Sequence, residues 1–228
     1  VPTIWRHNEW RTAILRKNTV SGEIECQTDL VAPHCMDCNV LRVLELCPVY
    51  INVLDLIEVK RLKDRVSRVA LLQEPTNIPI FMIMKMASFP RDVCAMQREV
   101  EVYAHLFATA ANNLAPDFLG YVYEEHQDRV VGFLMEDFEG RWASADDLEE
   151  CFDIVTDLHN VGVTHGDLRP SNFIVHEDFG VRLVDFESAV IYRTGNAFVD
   201  QEALQEKKDD EIRQIETLLL GSPGPSVS

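Results

Sequence analysis

The residues best suited to chemistry lie in one stretch, His165-Gly166-Asp167-Leu168-Arg169-Pro170-Ser171-Asn172-Phe173-Ile174-Val175, with Asp185 following in Leu183-Val184-Asp185-Phe186-Glu187. Asn172 stands five positions after Asp167, and Asp185 thirteen after Asn172. An Asp carboxylate and an Asn carbonyl are hard oxygen donors of the kind a divalent cation prefers. A further carboxylate, Asp167, can receive and orient an attacking hydroxyl. Phosphoryl transfer from ATP needs this set: cations on the phosphates, ligands to hold them and a carboxylate for the acceptor. Asn172 and Asp185 therefore fit the metal role, and Asp167 fits the acceptor.

These groups need strands and helices to position them. Ile51 to Lys60, Arg65 to Gln73 and Ile78 to Met86 have the branched-residue content of strands, and Lys63-Asp64-Arg65 and Glu74-Pro75-Thr76-Asn77 can turn one onto the next, which predicts an antiparallel meander. From Arg91 to Ala110 the period changes. Val93, Met96, Val100, Tyr103, Phe107 and Ala110 recur every three or four residues, the pattern of an amphipathic helix after Pro90. Strands are expected at Phe118 to Tyr123 and Arg129 to Met135. A helix capped by Ser144 should run to Asn160 and end at Gly162. Short strands at Phe173 to His176 and Val181 to Val184 flank the turn before Asp185. Gln201 to Leu220 is charged but keeps Leu204, Ile212, Ile215, Leu218 and Leu219 at helical spacing, and Gly221 to Ser228 reads as a disordered tail.

With these elements in place, the sequence resembles the protein-kinase-like superfamily over roughly residues 50 to 220. The superfamily's catalytic loop reads HxDxxxxN and its metal motif begins Asp-Phe. The resemblance implies an α+β, bilobal protein-kinase-like fold. Residues 51–135 would form an antiparallel-sheet N-lobe with five strands and one helix, and 136–220 a reduced helical C-lobe; 1–50 would be an N-terminal extension of uncertain role. Phe81-Met82-Ile83-Met84-Lys85 resembles the strand whose Lys holds the α- and β-phosphates. Taken alone, a Lys closing an apolar strand is usually a solvated end. A partner carboxylate is expected on the helix. At 100° per residue Glu99 lies roughly 70° from the centre of the apolar stripe and Glu101 roughly 130°, so Glu99 faces the cleft. Met135-Glu136-Asp137-Phe138 resembles the hinge that pairs with adenine, Glu136 through its carbonyl and Phe138 through its N–H. Arg169 stands where many members carry a basic residue that reaches the transferring phosphate. The implied cofactors are ATP and Mg²⁺, and the implied activity is transfer of the γ-phosphoryl to a hydroxyl.

Gly166 replaces the usual Arg of protein kinases, and Glu187 replaces the Gly of Asp-Phe-Gly. Both variants resemble the aminoglycoside and choline phosphotransferases, and the first also resembles small atypical protein kinases. Three readings follow: a protein Ser/Thr kinase, favoured narrowly for Leu168-Arg169-Pro170-Ser171-Asn172; a small-molecule phosphotransferase; and a catalytically inactive kinase-like binding module. The last is motivated by a missing phosphate loop, since no glycine lies between Ile51 and Lys85. Lys60, Arg61, Lys63, Arg65 and Arg68 are either a solvated basic turn or side-chain substitutes for that loop.

Composition narrows the setting. The 228 residues carry 21 Lys+Arg against 38 Asp+Glu, a net charge of −17, which argues against nucleic acid as partner. The apolar run Ile80 to Met84 is far too short to span a bilayer. Six cysteines are too sparse for a disulfide framework, and no charged-then-apolar leader follows Val1, so an intracellular compartment, cytoplasmic or nuclear, is expected. Cys26, Cys35, Cys38 and Cys47, with His34 beside them, could hold Zn²⁺ or be free thiols.

Overall fold

The computed structural model describes residues 12–18, 24–29, 49–87, 89–192 and 201–221. Thirteen strands and three helices of four residues or more in the helical runs appear among them in mixed α+β order. β1 (Thr12–Lys17) and β2 (Ile24–Asp29) pair as a separate antiparallel hairpin. The main sheet holds six strands: β3 (Val49–Asn52), β4 (Leu56–Lys63), β5 (Val66–Gln73), β6 (Ile78–Met86), β7 (Phe118–Glu124) and β8 (His126–Glu136). Their spatial order is β3-β7-β8-β6-β5-β4, antiparallel throughout except for the parallel β3–β7 pair. The meander expected over residues 51–86 is present as β4-β5-β6.

Two expectations need correction here. The sheet has six strands, not five, and the run from Ile51 to Lys60 is not one strand. The Asn52 side chain accepts a hydrogen bond from Leu54 N (2.9 Å), and Val53–Asp55 forms a 3₁₀ turn that separates β3 from β4. A short amide side chain that competes with backbone pairing breaks the strand at that point. β3 and β4 then occupy opposite edges of the sheet. The four steps from Asn52 to Leu56 reach at most about 14 Å, whereas the edges of a flat six-stranded sheet stand about 24 Å apart. The sheet must therefore be strongly coiled. Val69, Met82, Met84, Val122, Val131 and Leu134 are buried on one face, with Ile51, Val53 and Leu56 packed against them. Tyr121, Val130, Phe133 and Met135 join the larger core on the other face; the register shift in β8 between Gly132 and Val130 changes the phase of the alternation, so that Val130 and Phe133, three residues apart, share it.

Helix α1 (Pro90–Ala108) starts at a proline that is tolerated because the first-turn N–H has no partner to lose, and Asp92 Oδ2 accepts from Phe89 N (2.9 Å). It buries Met96, Glu99, Val100, Val102, Tyr103, Ala104 and Leu106. The expected apolar stripe fails at its last two members. Phe107 is exposed, and Ala110 lies beyond the helix in a left-handed conformation, so Leu106 fills the core in their place.

After β8 come β9 (Arg141–Trp142), α2 (Leu148–Asn160), β10 (Val163–Thr164), β11 (Phe173–His176), β12 (Gly180–Leu183), β13 (Val190–Ile191) and α3 (Gln201–Leu220). α2 ends as expected: Gly162 takes φ 79° and its N–H bonds His159 O (3.0 Å). Its start has Ser144 at the N-cap of a 3₁₀ turn, Ala145–Asp147, that leads into the helix, and Asp147 is the principal side-chain acceptor there. Asp147 takes bonds from Ser144 N (2.7 Å), Ser144 Oγ (2.9 Å) and both Arg141 terminal nitrogens (2.6 Å each). The Arg141 hydrogen bonds outweigh burial and hold the Asp147 carboxyl down at about 2, from an ordinary 3.8. A depressed carboxyl stabilises the fold above its unfolded value and loses that contribution as pH falls through its folded value. Acid unfolding between about pH 4 and pH 2 should therefore be shallower in Asp147→Asn than in the parent, as read by circular dichroism.

α3 packs on α2 through Ile215 and Leu219, and the β11–β12 hairpin sets Asn172 just before its first strand and Asp185 just after its second. Among the described residues no helix is long and apolar enough to cross a membrane. Cys35, Cys38, Cys47 and His34 lie outside the described residues, as do the side chain of Cys26 and the expected tail from 222 onward.

Candidate functional site

Lys85 sits in the middle of the main sheet, in register with Val66 on β5 and Phe133 on β8, and is only 4 % exposed. Its ammonium meets three carboxylates: Glu99 Oε2 at 2.6 Å, Asp185 Oδ1 at 2.7 Å and Glu187 Oε1 at 2.7 Å. Glu99 is 0 % exposed, whereas Glu101, two residues on, is half-buried and points elsewhere. The helical phase expected from the sequence therefore selects the right acid. Glu187 is a partner that the sequence reading did not place.

The turn after β12 explains how two acids two residues apart reach one ammonium. Asp185 has φ 71° and ψ 58°, a left-handed conformation that Asp tolerates better than most residues, and Phe186–Ser188 follows as a 3₁₀ turn. Phe186 drops into the core against the rings of Tyr103 and His165, which leaves Asp185 and Glu187 on the Lys85 side. Burial alone would lower the Lys85 pKa, but Glu99, Asp185 and Glu187 outweigh it and raise it above the ordinary lysine value. Burial pushes the carboxyls of Asp185 and Glu187 up; the Lys85 ammonium, and for Glu187 first the Arg65 guanidinium, reverses this and holds both below their usual range. Glu99 behaves differently. Its complete burial prevails over Lys85 and raises its pKa.

The catalytic-loop candidates hang from a second network. His165 is buried; Asp167 N donates to its Nδ1 (3.3 Å) and its Nε2 lies 3.1 Å from Val184 O, so the ring fits a neutral tautomer with the proton on Nε2. Burial lowers its pKa and favours that form. Asn172 Nδ2 donates to Asp167 O (2.9 Å), and Val184 N donates to Asn172 O (3.0 Å). These bonds tie Asp167, Asn172 and the residue before Asp185 into one unit. Arg169 Nε donates to Asp167 Oδ1 (2.8 Å).

Glu211 on α3 secures that loop and was missed from the sequence. Oε1 accepts from Gly166 N (2.6 Å); Oε2 accepts from His165 N (3.2 Å) and lies 2.7 Å from His159 Nε2. Burial would raise its pKa, but His159 and the two loop N–H groups lower it. A signal existed. Leu204, Glu211, Ile215 and Leu219 share one helical face, and an acid on an otherwise buried stripe calls for a partner.

Gly166 also has a backbone reason. Its φ is 78°, and a Cβ there would stand 2.4 Å from Ser188 O. Gly180 has φ 70° with nothing within 4 Å of a Cβ. Gly180→Ala should therefore cost about 1 kcal/mol of left-handed strain, and Gly166→Ala about 2–4 kcal/mol because a backbone clash is added. Urea denaturation of the pair measures the difference.

A cleft of about 450 Å³ opens beside Lys85. Ile83, Met135, Ile174 and Val184 supply apolar wall, and the connector Glu136 to Gly140 closes one side. Met135, Glu136 and Phe138, the expected hinge residues, all line it, as do Lys85, Glu99 and Asp185. Asp167, Arg169 and Asn172 belong to the adjoining turn, whose Ser171 reaches the wall. The basic run is more than a solvated turn. Lys60, Lys63 and Arg68 line the cleft and Arg65 binds both Glu187 oxygens through one nitrogen (2.8 and 2.9 Å), while Arg61 pairs with Glu58 on the exposed side. Arg68 is spent on the connector, bonding Asp137 at 2.6 Å.

Oxygens of Glu99, Asp185 and Glu187 lie within 4.8 Å of one another, the only arrangement of three acidic, His or Cys groups close enough to hold a metal among the described residues. Lys85 already supplies a positive charge to all three. This set of carboxylate oxygens suits a hard cation. No protein-family model matches the chain, and no curated protein matches it.

Proposed function

We propose that this chain is an ATP-dependent phosphotransferase of the protein-kinase-like superfamily, with a bilobal arrangement of a sheet-rich lobe to about residue 135 and a short helical lobe after it. The observation that carries the reading is the buried ammonium of Lys85 bonded at once to Glu99 on α1 and Asp185 after β12, at the wall of a cleft sized for a nucleotide. Three separate elements, β6, α1 and the turn after β12, converge on it.

In this mechanism Lys85, held by Glu99, positions the α- and β-phosphates. Asn172 and Asp185 would hold Mg²⁺, which supplies charge neutralisation on the phosphates when bound. Asp167 accepts the hydroxyl proton as the acceptor oxygen bonds the γ-phosphorus and the bond to ADP breaks. Arg169, next to Asp167, offsets charge on the moving group. Glu211 acts as a positioning residue through the backbone of the loop.

Protein Ser/Thr is the first acceptor class. A small-molecule hydroxyl is the second, favoured by Glu187 turned onto Lys85 and by a Gly166 whose backbone excludes a side chain. Purified protein with labelled Mg-ATP, offered a generic protein mixture and choline- or sugar-type acceptors in parallel, tests both. Label in protein is expected; label only in small molecules moves the conclusion to the second class. Label in neither, with no nucleotide binding, leaves a silent module in which Lys85 stays saturated by its own acids.

A further inference from the structure

The register of the sheet sorts the basic hairpin into rows across the cleft. Lys63 pairs with Val66 and Val66 with Lys85, so one row runs Lys63–Val66–Lys85. Two rows along, past Arg61–Ser67–Met84–Leu134, runs Lys60–Arg68–Ile83–Met135, which ends at the connector. Arg68 is occupied there by Asp137. Lys63, in contrast, reaches the Asp185 end, where its Nζ lies 3.6 Å from Asp185 Oδ2 while Lys85 Nζ lies 2.7 Å from Oδ1. Two ammonium groups thus meet one carboxylate, one at each oxygen. The Lys63 side chain remains 54 % exposed and, among the described residues, has a single, long ion-pair contact, so little holds it back from an incoming anion.

We propose that Lys63 binds the triphosphate of the nucleotide, so that a side-chain cation at the end of β4 does the work that backbone N–H groups of a glycine-rich turn do elsewhere. The inference rests on the nucleotide reading of the cleft. The hairpin turn, Asp64-Arg65, contains no glycine, and its Arg65 is committed to Glu187. Backbone approach is therefore restricted at the place where charge is available. Lys63 and Lys85, two strands apart and converging on Asp185, form a pair able to grip adjacent phosphates.

The test is equilibrium titration of the full chain with ATP, ADP and adenosine, for wild type, Lys63→Gln, Lys63→Arg and Arg61→Gln. Lys63→Gln should weaken ATP by about tenfold and leave adenosine unchanged, which has no phosphate to lose. Lys63→Arg keeps the charge and should retain most of the ATP affinity. Arg61→Gln removes an equal charge from the far side of the strand and should change neither ligand. Unchanged ATP affinity in Lys63→Gln, or equal weakening of ATP and adenosine, overturns the inference while the nucleotide reading stands. A wild type that binds neither ATP nor adenosine overturns both.

Discussion

Asp185→Asn should leave the fold intact and remove phosphoryl transfer, lowering kcat by about three orders of magnitude or more. Asn is the informative replacement because Asp185 sits at φ 71°, a conformation Asn shares and Ala pays for with about 1 kcal/mol of strain. The substitution keeps an oxygen in place and removes the charge that a cation needs. Lys85 retains Glu99 and Glu187, so its burial stays compensated. The companion measurement is thermal unfolding with and without Mg-ATP. A ligand at 100 times its Kd stabilises the native state by about 2.7 kcal/mol, and that increment should appear in wild type and vanish in Asp185→Asn. Equal activity in the two proteins would sink the proposed role of Asp185.

Lys85→Met should be the most destabilising single change at the site, at about 3–5 kcal/mol. Met preserves the apolar stem that packs in the sheet, so the loss reports the charge. Among the described residues Glu99 would then be a fully buried carboxyl with no cation bonded to it, and its second oxygen, Oε1, already lacks a hydrogen-bond partner there. Burial raises the Glu99 pKa even with Lys85 present, and removing Lys85 raises it further. An acid whose folded pKa exceeds its unfolded value is most stable, relative to the unfolded chain, below the unfolded value and loses stability as pH rises toward the folded one. The deficit of Lys85→Met should therefore grow as pH climbs above about 4.5. Lys85→Met/Glu99→Leu removes both charges and should recover most of the loss, because a buried ion pair exchanged for apolar groups is often neutral. Urea midpoints for the single and double variants at pH 5 and pH 8 decide it; a double variant no better than the single would show that packing, not charge, is at stake.

The candidate site was legible in proportion to how local its signals are. Asp167 and Asn172 lie five residues apart on one turn, and Asp185 follows one hairpin later, so spacing along the chain carried their relation. Glu99 was selected over Glu101 by helical phase alone, and the structure agrees because α1 is regular through that turn. β6 was placed at Ile78–Met86 from composition, with the turn at Glu74 to Asn77 before it. Phe107 failed because it stands in the last turn before α1 ends, where the core no longer follows the stripe.

Other features had no local trace. Arg65 meets Glu187 across 122 positions, and Lys85 meets Glu187 across a similar span. Nothing in the neighbourhood of Glu187 distinguishes a solvated acid from one aimed at a buried ammonium. The break at Asn52 sends β3 and β4 to opposite edges, which depends on the coil of the whole sheet and on β7 being free to pair in parallel. Gly166 reads in the sequence as a missing Arg; in three dimensions it is a site where Ser188 O leaves no room for any side chain.

By itself the sequence determined the periodicities, hence most of the strands and helices, and the chain spacing that brings Asp167, Asn172 and Asp185 onto neighbouring turns, since both are written in residues near one another. Tertiary structure alone decided which partners Glu187, Arg65, Lys63 and Glu211 meet around that site. Their roles come from contacts closed over long stretches of chain by burial, and a buried charge finds its partner only when the fold has excluded the water that would otherwise solvate it.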